Sequence, residues 1–276
     1  MAYQLLRPRT RQGYHERIAQ VLTEHFPEMA SSQPELLARH YTAAGEDEVA
    51  VHYWLRAGQS ALKHSANLEA IAHLTQGLAL LTRLPDTSVR MRQELELQIA
   101  LGTALMNTKG YASPDAERVF ARAQTLCEQT GDIPQLITVL GAVQLNHLSA
   151  GNLRMVAQIG EQMLHLAQGH PDPAFFVLAH LNLGTVLFFR GELTFALARQ
   201  QQVLVIYTTL PVPQDLIARF GAEFGSLCYM YMALSLWLLG YADQARQHFQ
   251  VARTLAQEMP VIIVPSTSRD TRRRSP

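Results

Sequence analysis

Three stretches decide how this chain reads: GNLRMVAQIGEQML at 151–164, GELTFALARQQQVL at 191–204 and GYADQARQHFQVAR at 240–253. Each opens with a glycine at a helix end. Each then carries a small or β-branched residue five positions on, and a small or apolar one seven after that: Val156 and Met163, Ala196 and Val203, Ala245 and Ala252. A spacing of seven is two helical turns, so each pair lies on one face of a helix. The helix before the glycine has a close-packing pair seven to eight residues upstream, as in Leu183-Gly184 and Met232-Ala233. The repeating unit is two helices joined by a glycine turn and pressed together where side chains are small.

The same pattern runs outward through the chain. Apolar residues recur at i, i+3, i+4 and i+7 in almost every segment longer than ten residues, and alternating runs bounded by turns are nearly absent. Breakers at Pro27, Pro34, Gly45, 64–67, Pro85, Gly110 to Pro114, Gly131 to Pro134, Gly151, 169–173, Gly191, Pro211 to Pro213 and Gly240 divide the chain. They predict an all-α fold of about twelve helices, at 10–26, 33–44, 47–63, 67–83, 87–108, 113–130, 133–149, 152–168, 173–190, 192–209, 215–239 and 242–258. Short turns make sequential neighbours antiparallel.

The two-helix unit resembles the tetratricopeptide repeat (TPR), a helix–turn–helix of about 34 residues. The last two units match best, with Ala196 in one and Ala245-x-x-x-Phe249 in the other. Earlier units are looser: Gly102, Ala116-x-x-x-Phe120 and Ala123 make one with a long TKGYASP turn, and Ala57-Gly58, Ala61, Ala70, Leu74 and Gly77 make another. In the unit at 133–168, Gln144 stands where a small residue is expected. Periods of roughly 40 to 50 residues point to a TPR-like α-solenoid rather than a regular TPR superhelix.

Composition narrows the function. The 276 residues hold 23 basic and 23 acidic side chains, so no global field draws in nucleic acid or an anionic membrane. Lys63 and Lys109 are the only lysines, and neither belongs to a phosphate-binding G-x-x-x-x-G-K-[ST] loop. Cys127 and Cys228, a hundred residues apart, read as small buried hydrophobes in a reducing compartment. The start, MAYQLLRPRTRQGYHERIAQ, lacks the apolar core of a signal peptide, which reads as cytoplasmic. The uncharged run from Phe224 to Ala242 approaches the length of a membrane span, but Gly225, Ser226 and Ser235 dilute it and it fits the repeat, so no membrane contact is expected.

A second resemblance covers approximately residues 2 to 259. The phrases QPELLARHY, AIAHLTQGL and ALMNTKGYASP look like the C-terminal region of large bacterial proteins that join a class III nucleotide cyclase domain, an AAA-type signalling ATPase and a TPR array. The resemblance implies that residues 1–30 correspond to the junction between ATPase and repeats, and that 31–259 form the repeat domain. The cyclase aspartates and the ATPase phosphate loop have no counterpart in this sequence. Beyond Met259 the family pattern gives way to PVIIVPSTSRDTRRRSP, so 260–276 are expected to be an irregular basic tail that cannot extend the solenoid, as in a truncated or frame-shifted descendant of a larger gene.

No residue constellation announces an enzyme, and no cofactor is expected. His40, His52, His64 and His73 have neither the spacing nor the companion ligands of a metal centre. Arg7, Arg9 and Arg11, and Arg269, Arg272, Arg273 and Arg274, read as solvated patches without the aromatics of a nucleic-acid binder. Trp54 and Trp237 fall on core spacing. In the TPR phase the first helices of the units would project His52, Gln59, Glu96, Thr103, Asn107, Thr185, Phe188 and Trp237 into a concave groove that binds an extended peptide or a partner helix. The expectation is a non-enzymatic scaffold for a protein or peptide partner, a detached regulatory or sensor arm whose partner the resemblance suggests is an ATPase or nucleotide cyclase. The alternatives are a component of an adenylate or guanylate cyclase or ATPase with catalytic domains on another chain, or a gene remnant. Self-association through an uncapped 215–258 pair is a further expectation.

Overall fold

The computed structural model describes residues 7–209 and 223–257. Among them are thirteen helices and no strand: α1 (Pro8–His25), α2 (Pro27–Ser32), α3 (Pro34–Ala44), α4 (Asp47–Lys63), α5 (Asn67–Leu81), α6 (Ser88–Lys109), α7 (Pro114–Thr130), α8 (Ile133–Ser149), α9 (Leu153–Gln168), α10 (Ala174–Phe189), α11 (Leu193–Tyr207), α12 (Phe224–Leu238) and α13 (Ala242–Gln257). The sequence reading passes over α2. Pro27 opens that helix and Pro34 the next, each supplying a backbone already set for a first turn. Within the described residues the predicted 215–239 helix is seen from Phe224 onward; its earlier part, and the predicted tail at 260–276, lie outside them.

The turns explain why the three quoted stretches look alike. Gly151, Gly191 and Gly240 have φ of 74°, 78° and 91°, a left-handed conformation open to glycine at little cost. Each makes the same pair of backbone bonds. Gly191 N–H donates to Phe188 O and Glu192 N–H to Leu187 O, both at 2.9 Å; Gly240 and Tyr241 repeat this with Trp237 and Leu236, and Gly151 and Asn152 with Leu148 and His147. The last carbonyls of one helix are thus satisfied while the chain reverses. The α4–α5 turn does the same with Ser65, at φ 58°, whose N–H donates to Leu62 O while Ala66 N–H donates to Ala61 O.

Between the turns, helices meet where one has no side chain. A methyl group placed on Gly102 of α6 would stand 2.5 Å from Phe120 Cζ of α7, and one on Gly160 of α9 would stand 2.7 Å from Leu183 Cδ2 of α10. Gly58 receives Leu74 and Gly77 receives Leu97 in the same manner. The small position therefore alternates between the contact inside a unit and the contact to the next, and one core runs from α3 to α12. Gln144 fills its small position as a buried side chain, its Nε2 donating to Val156 O of α9 at 3.1 Å. The long turn after α6 is anchored by buried Asn146 of α8, whose Nδ2 donates to Tyr111 O and Ser113 O.

Successive helices pack as pairs: α4 with α5, α6 with α7, α8 with α9, α10 with α11 and α12 with α13. Across units, the first helices α4 and α6, α8 and α10, and α10 and α12 also touch, whereas α6 and α8 make no comparable contact and, among the described residues, neither do second helices. The chain is a TPR-like α-solenoid.

Two substitutions test this packing in urea titrations. Ser65→Gly should raise stability by about 0.5–1 kcal/mol by relieving the left-handed strain. Gly102→Leu should lower it by about 1–3 kcal/mol or more, because the Phe120 ring has nowhere to go.

Candidate functional site

The eight residues expected on the inner face fall into two groups. On α4, His52 and Gln59 are exposed and two turns apart, His52 lying edge-on to Tyr53 with ring centroids 5.6 Å apart. On α6, Glu96 is exposed, Thr103 is half-buried and donates to Ile99 O within its own helix, and exposed Asn107 donates from Nδ2 to Asn67 Oδ1 at 3.2 Å. The two helices that carry these five polar residues touch.

The second group lies on α10 and α12. Thr185 is 6% exposed, with its hydroxyl donating to Leu181 O at 2.9 Å, so it belongs to the seam between the two helices. Phe188 is half-buried, its ring 5.5 Å from that of Tyr231 and 5.3 Å from that of Phe189. Tyr231, which the sequence reading did not single out, joins these rings; its hydroxyl is harder to ionise than usual because it is buried. Among the described residues no hydrogen bond, ion pair or ring contact joins the two groups.

The structure corrects the core reading of Trp237, which is 64% exposed, whereas Trp54 is buried and donates from Nε1 to Thr42 Oγ1 at 3.0 Å. Helical spacing says which side of α12 Trp237 occupies but not how far that side is covered. Phe249 of the Ala245-x-x-x-Phe249 motif is likewise 55% exposed. With Ala233, Leu234, Ala245 and Arg246, the two aromatics line a groove of about 380 Å3.

Chemically reactive groups lie elsewhere and are held quiet. Cys127 and Cys228 are buried free thiols. Burial, with Asp132 and Glu128 nearby, pushes the first up to about 11, and burial, with Glu223, pushes the second up to about 12. Such thiols carry almost no thiolate near neutrality. Among the described residues no three His, Cys, Asp or Glu side chains gather as a metal site. His40 instead faces His15, Nδ1 to Nδ1 at 2.9 Å, across the α1–α3 contact; His64 bonds Ser60 O, and His73 lies against the Trp54 ring. No described helix is long and apolar enough to cross a membrane.

No protein-family model and no curated protein sequence matches this chain. Among solved structures it resembles BtubC (BKLC) from P. vanneervenii, at TM-score 0.58 and 12% identity over 91% of this chain and 92% of that one. It also resembles a Podosopora anserina kinesin light chain described as having nearly identical TPR-like repeats, at TM-score 0.55 and 13% identity over 74% and 93%. The apo form of RapI follows at TM-score 0.52 and 9% identity over 90% and 99%. At such identities the likeness is one of fold.

Histidine ionisation gives a pH prediction. Burial lowers the affinity of His40, His73 and His180 for protons, with His15 adding to the effect at His40 and Arg199 at His180. Unfolding restores the ordinary value near 6.5, so the unfolded chain binds more protons and stability falls as pH drops through and below about 6.5. The urea midpoint should be lower at about pH 5.5 than at about 7.5, and His40→Gln should flatten part of that slope. A midpoint that does not change across this window contradicts the assignment.

Proposed function

We propose that the chain is a non-enzymatic scaffold that holds a protein or peptide partner along the inner face of its first helices. The observation that carries this reading is the strip on α4 and α6, where His52, Gln59, Glu96 and Asn107 stand exposed on two touching helices. Solenoids use such repeated inner faces to grip extended segments, because each unit presents side chains at a regular step.

The sequence resemblance to cyclase–ATPase–TPR proteins supplies the class of partner, an ATPase or nucleotide cyclase, with residues 1–30 corresponding to the junction between ATPase and repeats in those proteins. In this role the solenoid is a regulatory or sensor arm, and partner binding acts by changing the curvature set where first helices touch. The likeness to solved TPR-like repeats supports the scaffold role and is neutral on the partner.

The test uses the purified chain as bait in extract of the source cells, beside a variant carrying His52→Ala, Gln59→Ala, Glu96→Ala and Asn107→Ala. Recovery of an ATPase or cyclase by the native chain, with affinity reduced at least about tenfold in the equally helical variant, is the expected result. Equal recovery by both baits would place binding elsewhere.

A further inference from the structure

In several helix pairs a glycine of the first helix receives a side chain of the second. Gly58 of α4 receives Leu74 of α5, sixteen residues on, and Gly102 of α6 receives Phe120 of α7 across the longer turn. In α10 and α11 the same sixteen-residue step joins Gly184 to Gln200, and there the side chain that arrives is an amide. A methyl group on Gly184 would stand 2.5 Å from Gln200 Nε2, so the amide lies directly against the α10 backbone. Gln200 is fully buried, and neither its Nε2 nor its Oε1 has a hydrogen-bond partner among the described residues. Buried Gln144 fares better: its Oε1 has no partner either, but its Nε2 donates to Val156 O.

A buried amide without partners costs free energy while it is dry, and recovers that cost when water reaches it. The helix packed over Gln200 is α12, whose Cys228 Sγ donates to Gln200 O at 3.0 Å, both residues being fully buried. A thiol is a weak donor. Firmer bonds between α11 and α12 gather at the start of α12, where buried Glu223 accepts from the Tyr207 hydroxyl of α11, from Gly225 N–H at 3.0 Å and from Ser226 N–H. Phe224, Cys228 and Met232 share the common core, which favours the closed arrangement. Burial of apolar side chains thus holds α12 down, while the amide beneath it favours release.

We infer that the solenoid carries a joint where α10, α11 and α12 meet. Tied at Glu223, α12 lifts from α11 without unfolding of the chain, and water then reaches the Gln200 amide. The two units change their mutual angle as it opens. The joint involves neither α4 nor α6, so it stands or falls independently of the proposed function.

Cys228 is a built-in reporter of this opening, and Cys127 of α7, a second buried free thiol, lies away from the joint. The native chain is treated with excess iodoacetamide, and labelling of each cysteine is followed by peptide mass spectrometry, each rate being divided by that of the same cysteine in the urea-unfolded chain. Cys228 should label at least about tenfold faster than Cys127 on this scale. Its rate should climb less steeply with urea than global unfolding read by circular dichroism, because lifting α12 exposes less surface than unfolding does. Gln200→Met keeps an unbranched side chain and removes the amide, so it should slow Cys228 labelling at least about tenfold at unchanged helicity, and Gln200→Leu should act in the same direction. Equal protection of the two thiols, a urea dependence of Cys228 labelling equal to that of global unfolding, or labelling at the native rate in both variants would overturn the inference.

Discussion

Two helices can approach as closely as those of this solenoid only where one of them offers no side chain to the other. Gly58, Gly77, Gly102 and Gly160 meet this condition, each accepting a Leu or Phe that would collide with even a methyl group. Glycine weakens a helix interior, by about 0.5–1 kcal/mol relative to alanine, so these positions are tolerable only because burial of the opposing side chain exceeds that cost. Once helices are set at this distance, the left-handed turns fix direction. First helices then come into contact across units, as α4 does with α6, α8 with α10 and α10 with α12.

This explains what was legible in the sequence. The glycine at each turn and the small residues around it are read directly from spacing, because they answer to local geometry that any chain must obey. The paired helices, their boundaries and the burial of Cys127, Cys228, Ala196 and Ala245 came from the same source. Gln144 was visible as an exception, and the structure supplies its reason in the bond to Val156 O. Ser65 was hidden inside a generic turn signal, because nothing in a single serine says that it will take a left-handed conformation.

The candidate site was legible only as a face. Periodicity places His52, Gln59, Glu96 and Asn107 on exposed sides of their helices, but cannot tell that Thr185, at an equivalent phase, sits 6% exposed in a seam. The difference arises from Tyr231, a bulky neighbour on the next first helix. Trp237 shows the reverse error: it falls on core spacing yet is 64% exposed.

The central claim is that partner recognition belongs to the first-helix face. Site-specific photocrosslinking tests it most directly, with a benzophenone amino acid placed at Gln59 on α4 and, in a separate chain, at exposed Gln76 on α5. After irradiation in extract of the source cells, the account predicts a discrete adduct from position 59 and none from position 76. An adduct from position 76 alone, or the same adduct from both, would contradict it.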